Sequence, residues 1–177
     1  MCHNDIKSEN VLVDVWGRWR LADFGCASWS GTPCQVATPR YRPPENIMST
    51  GWGTKADVWA LGCLFFNILT GEDMVHYYPA HLRGLDLQRH HIAALCARTK
   101  TPLSNRTFAP NRTPGLFDKW LTMSHTPSIM RMSVKIEGTE ELHELTERML
   151  KFTPDERIGL PEAMDSNAFS GIPPGLR

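Results

Sequence analysis

Residues 58–69 constrain the fold of this chain more than any other stretch. Val58, Leu61, Phe65 and Ile68 share one helical face, and Leu64, Phe66 and Leu69 fill most of the rest. A helix apolar nearly all the way round has no face to offer water, so it belongs at the centre of a domain. Thr54 followed three residues later by Asp57 has a capping-box layout, with Asp in place of the usual Glu or Gln. Gly71 is placed to end the helix. Gly62 and Asn67 interrupt an apolar run that is already too short to span a bilayer.

The remaining pattern predicts a mainly α domain with one small hairpin. Val11-Leu12-Val13 and Trp19-Arg20-Leu21 read as short strands around a turn at Trp16-Gly17-Arg18. Residues 26–44 are rich in Ser, Thr, Pro and Gly and read as a long loop. A second helix is expected over 85–97 and a Pro-rich surface loop over 101–114. A further helix starts at Thr139, with Leu142, Leu145, Met149 and Leu150 on one stripe and Pro154 just past its end. Pro161 suits the first position of a final short helix. Residues 170–177 read as a frayed tail.

Composition narrows the function classes. Lys plus Arg equals Asp plus Glu at 19 each, and the sequence pI is about 7.0. That balance argues for neither a nucleic-acid nor a membrane partner. The five cysteines, Cys2, Cys26, Cys34, Cys63 and Cys96, are odd in number and form no Cys-x-x-Cys pair. They suggest neither a disulfide framework nor a zinc ribbon. With no signal peptide at the start, an intracellular location, cytoplasmic or nuclear, is expected. The sequons Asn105-Arg-Thr107 and Asn111-Arg-Thr113 then carry no weight.

The chemistry lies in the first 45 residues. Asp5 and Asn10 stand in His3-Asn4-Asp5-Ile6-Lys7-Ser8-Glu9-Asn10, and Asp23 follows beyond the hairpin in Asp23-Phe24-Gly25. A hairpin of that size folds Asp23 back beside Asn10. Two hard oxygen ligands then converge, a set suited to Mg²⁺ held together with substrate phosphates. Phosphoryl transfer needs an aligned hydroxyl, a proton acceptor and cations spread over the phosphate oxygens. Asp5 can take the proton, Lys7 can contact the transferring phosphate, and Asn10 and Asp23 can hold the metal. Any one of these pieces alone is ordinary loop chemistry; it is their order and spacing that carries the reading.

In that order they resemble the protein kinase family. The catalytic loop matches at His3-Asn4-Asp5 through Asn10 and the metal-binding loop at Asp23-Phe24-Gly25. The end of the activation segment matches at Pro43-Pro44-Glu45, the central helix at Asp57-Val58-Trp59-Ala60-Leu61-Gly62, and the late arginine at Arg157. The resemblance covers residues 2–169 and implies the helical C-terminal lobe of a kinase, with the N-terminal lobe absent. It implies a Ser/Thr kinase using ATP and Mg²⁺ on a protein substrate. Leu12 would floor the adenine site, and Thr38 would brace Asp5 and Lys7. Asp57 would hold the catalytic-loop backbone, and Glu45 would pair with Arg157. His3, Phe24 and Gly25 would be structural. Lys7 in Asp-Ile-Lys-Ser-Glu-Asn resembles Ser/Thr kinases, and Tyr41-Arg42 resembles the group of cyclin-dependent, MAP, dual-specificity and SR-protein kinases. That group carries an insert, here roughly 74–133.

Two departures shape the expectations. Asn4 stands where most of the family has the arginine that reads an activation-loop phosphate. Ser28, Ser30 and Thr32 remain candidate phosphorylation positions, but an electrostatic on-switch through residue 4 is not available. No Gly-rich loop or strand lysine precedes the catalytic loop, so this fragment is expected to bind nucleotide poorly. It is also expected to leave part of the helix after Asp57 uncovered, for an N-lobe segment or partner to meet. A non-catalytic kinase-like interaction module is the alternative reading. A Cys/His metal-binding protein rests only on scattered cysteines and histidines.

Overall fold

The computed structural model describes residues 1–29, 38–51, 53–76, 80–101 and 138–170. The loop over 102–114, both sequons, Ser30, Thr32, Cys34, most of the expected insert and the tail from 171 onward lie outside the described residues.

Two strands, β1 (Val11–Val13) and β2 (Trp19–Leu21), form an antiparallel hairpin with Leu12 opposite Arg20. The carboxylate of Asp14 shapes the turn by accepting from the amides of Trp16 and Arg18 and from the Arg20 guanidinium. Gly17 supplies the left-handed residue there, at φ 77°. The helices are α1 (Pro44–Ile47), α2 (Thr54–Thr70), α3 (Gly84–Thr99), α4 (Glu140–Met149) and α5 (Leu160–Met164). Short 3₁₀ turns at Ser8–Asn10, Phe24–Cys26, Pro39–Tyr41, Pro154–Glu156 and Asn167–Phe169 join them.

The apolar character of α2 has a direct structural reason: two hydrophobic clusters meet across it. Trp59, Ala60, Cys63, Leu64 and Phe66 pack with Tyr41, Ile47, Ile92, Leu95 and Phe152 on one side. Val58 packs with Leu145, Met149, Ile158 and Ala163 on the other, with Leu61, Phe65 and Phe169 at its edge. The approach of α2 to α4 depends on Gly62, where an added Cβ would lie 2.9 Å from the Cβ of Met149. No rotamer relieves a backbone-proximal clash of that kind.

Two details differ from the pattern. Asp57 does not cap α2: Gly53 is the cap residue and offers no side chain. The carboxylate of Asp57 points at the catalytic loop, as the resemblance implies, where it finds two backbone donors. Pro161 sits one residue inside α5, still within the first turn, where its missing N–H costs nothing. Part of α2 is uncovered, as expected. Leu61 and Phe65 are half-buried and Ile68 is exposed. The broader open apolar surface lies on the hairpin and beyond it, at Val13, Val15, Trp16, Trp19 and Phe24. As expected, Gly71 ends α2 in the left-handed conformation at φ 71°.

Arg157 ties the second half of the chain to the first. Its guanidinium grips Glu45 with two bonds, at 2.8 and 3.0 Å, and spends its other N–H groups on the carbonyls of Lys55, Phe152 and Lys151. It also lies 5.0 Å from the ring centre of Trp59. Arg157 is 2% exposed and Glu45 6%. A buried pair with every donor satisfied is tolerable, but either half left alone is not. Glu45→Ala is expected to lower unfolding free energy by about 3–5 kcal/mol, read from urea denaturation. A loss well under 1 kcal/mol would show that the pair carries little.

Candidate active site

The catalytic loop hangs from α2. One oxygen of Asp57 accepts the amide of His3 at 2.7 Å and the other the amide of Asn4 at 2.9 Å. Between them they hold Asn4 at φ 67°, a left-handed conformation that Asn tolerates better than most residues. The next residue, Asp5, is thereby aimed at the segment before α1. Its Oδ1 accepts the Thr38 hydroxyl at 2.9 Å and the Thr38 amide at 3.2 Å, and its Oδ2 takes the Lys7 ammonium at 2.6 Å. Lys7 also reaches the Thr38 hydroxyl at 3.4 Å. The three residues named from the motif thus form one cluster.

Burial of Asp5 raises its pKa, but Lys7, the Thr38 hydroxyl and the Thr38 amide together outweigh it, leaving the carboxyl below its usual range. The Asp5 hydrogen bond pushes the Lys7 ammonium pKa up in turn. Asp5 is therefore a carboxylate, able to accept a proton, across the neutral range.

The other half of the site follows from the hairpin. The amide of Ala22 donates to the carbonyl of Asn10 at 2.8 Å, which places Asp23 one residue from Asn10's backbone. The ring Nε2 of His3 meets the carbonyl of Ala22 at 3.0 Å, and its Nδ1 meets the amide of Asp5 at 3.3 Å. Both contacts are satisfied by the tautomer with hydrogen on Nε2. Phe24 lays its ring edge-on to His3, with centres 4.8 Å apart.

The donor set fits a magnesium–phosphate group. Asn10 spends its amide N–H on the Asp5 carbonyl at 2.8 Å, so its side-chain oxygen remains for a cation. Asp23 stands at φ 58°, with one carboxylate oxygen against the amide of Gly25 at 3.3 Å. Among the described residues no group of three or more His, Cys, Asp or Glu forms a metal site. Leu12, on β1 beside Asn10, is 53% exposed.

Asn4 is the residue whose part the pattern did not convey. Its side-chain amide donates to the carbonyl of Cys26 at 2.8 Å, the hydroxyl of Ser28 at 2.9 Å and the carbonyl of Cys2 at 3.4 Å. Cys2 and Ser28 also exchange backbone hydrogen bonds at 2.8 and 3.0 Å. The readable signal was an amide-bearing residue, tolerant of positive φ, in a position that usually carries a long cation.

A family model described as "Protein kinase domain" matches residues 1–169. The chain belongs to the protein kinase family. It is similar to cyclin-dependent kinase 15 of Mus musculus, at 28% identity over 98% of this chain and 40% of the relative. It is likewise similar to cyclin-dependent kinase 14 of Xenopus laevis, at 27% over 98% of this chain and 40% of the relative. A Caenorhabditis elegans protein named "Probable dual specificity protein kinase madd-3" is 31% identical over all of this chain and 22% of its own length. The chain thus spans about two fifths of the first of these relatives, and less of the last.

The Asp5 cluster makes a prediction independent of turnover. Replacing Lys7 by Met removes the nearest cation and leaves burial less opposed, so the titration midpoint of the Asp5 carboxyl moves up. Carbon-13 NMR of that carboxyl reads the shift directly; an unchanged midpoint would mean the short Lys7 contact contributes nothing in solution.

Proposed function

We propose that this chain carries the phosphoryl-transfer half of a protein Ser/Thr kinase active site. The observation that carries the reading is the convergence on Asp5. Thr38 and Lys7 hold its carboxylate from one side, and Asn10, bonded to its carbonyl, holds it from the other. Family membership supports the same reading.

In this account Asp5 aligns the substrate hydroxyl and accepts its proton. Lys7, already placed between Asp5 and Thr38, offers positive charge where the transferred phosphoryl gathers negative charge. Asn10 and Asp23 would hold Mg²⁺, which when bound with ATP neutralises the phosphate oxygens. Leu12 would lie under the adenine ring. Specificity for Ser/Thr is inferred from Lys7 in its loop, and the names of the cyclin-dependent relatives fit it. The substrate is a protein; we infer an intracellular setting from the sequence.

Because Leu12 is exposed, the described residues would meet an adenine from one face only. We therefore propose that the 177-residue chain alone binds nucleotide weakly, and that the exposed hairpin meets whatever covers the other face. The same apolar hairpin favours the second reading, a kinase-like interaction module, in which that surface binds a partner and no phosphate moves.

The two readings separate on the acidic residues. In the form of the protein that phosphorylates a peptide, Asp5→Ala is expected to lower kcat by about 10²–10⁴-fold, and Asp23→Ala to leave little activity at any magnesium concentration. Substantial turnover in both variants would refute the roles assigned here.

A further inference from the structure

Asp23 is exposed, lies in the left-handed region at φ 58° and has little of its own to hold it. Its position is set by anchors on either side. Upstream, Ala22 is fixed twice, by its amide on Asn10 and its carbonyl against His3. Downstream, the chain turns through Phe24–Cys26 and is then caught at Cys26 and Ser28. Both catches come from the same place. The amide of Asn4 donates to the Cys26 carbonyl and the Ser28 hydroxyl, and the Cys2 backbone pairs with that of Ser28.

We propose that Asn4 is a positioning residue, a latch that fixes the segment leaving the metal loop to the catalytic loop with no modification of the chain. The proposal rests on the phosphoryl-transfer reading of the site. Asn4 is well built for the task. Its backbone N–H is taken by Asp57, which is anchored in the buried helix α2. Its side chain is fixed by three acceptors on two segments, and the residue that follows it is Asp5. A shift of Asn4 therefore moves Asp5 and the Asp23 loop together. The latch also makes Ser28 a sensitive point, since its hydroxyl is one of the acceptors and lies partly buried.

Two substitutions isolate the side chain. Asn4→Asp keeps the shape and the backbone but presents an acceptor to two carbonyls. Asn4→Gly removes the side chain while easing the positive φ, so it folds even where the first variant does not. Both are expected to speed amide exchange at Cys2 and Ser28 by about tenfold or more, the loss of one to two hydrogen bonds, while amides in the middle of α2 keep their protection. In the peptide-phosphorylating protein, both should raise the magnesium concentration needed for half-maximal rate several-fold, with kcat recovering as Mg²⁺ is raised. A purely structural role would not be rescued in that way. Faster exchange with an unaltered magnesium dependence overturns the positioning role, and unaltered exchange in Asn4→Gly overturns the latch itself. If the unsubstituted protein transfers no phosphate, the reading of the site fails, and the exchange data alone still decide whether Asn4 holds Cys26 and Ser28.

Discussion

The structure depends on the carboxylate of Asp57. It stands on the most deeply buried helix, beside Val58 at 1% and Trp59 at 0% exposure, and it accepts two consecutive backbone amides from the catalytic loop. Hydrogen bonds to a charged group contribute about 1.5–3 kcal/mol each, whereas holding a non-glycine residue in the left-handed region costs about 1–2 kcal/mol. The interaction therefore outweighs the strain it imposes at Asn4, and the loop stays in a conformation it would not choose alone. Every feature of the site inherits that choice, because Asp5, the His3 ring and the Asn4 amide all leave the backbone within two residues of the anchor.

A second buried charge does comparable work for the opposite wall. Thr38 reaches Asp5 from the segment that runs through Pro39–Tyr41 into α1, and α1 is fixed by Glu45 on Arg157. Tyr41, buried at 6% exposure, adds its hydroxyl 3.2 Å from that of Ser8, and Arg40 reaches Asp73 beyond α2. The Asp5 carboxylate is thus held between two elements, each locked to the same core by a charge with nowhere else to go. Groups held this way need no reorganisation to meet a developing charge, which is where most of the benefit of fixed dipoles lies.

Much of this was legible in the sequence, and the rest was not, for identifiable reasons. The all-round apolarity of 58–69 announced a central helix because only burial on both sides explains it, and Gly71 marked its end by the chemistry of positive φ. The hairpin followed from short-range spacing, and the contact of Thr38 with Asp5 from the resemblance of the motifs in their order. Asp57 carried two readings: its place three positions after Thr54 suits a helix cap, whereas the resemblance makes it an anchor for the catalytic loop, and the fold shows the second. Asn4 read as a missing cation because its partners, Cys26 and Ser28, are remote in sequence and neutral, so no pattern flagged them. The open hairpin was hidden for the opposite reason. Val13 and Trp19 read only as strand residues and Trp16 as part of the turn, and sequence alone does not say which apolar strands find a neighbour.

The most direct test of the anchoring role is amide exchange in Asp57→Asn. Asn offers one oxygen and turns an N–H toward a second donor, so at least one loop amide loses its acceptor. The account predicts that the amides of His3 and Asn4 lose most of their protection, while those of residues 60–66 in the same helix keep theirs. Equal protection of His3 and Asn4 in both proteins would mean that something other than this carboxylate holds the catalytic loop.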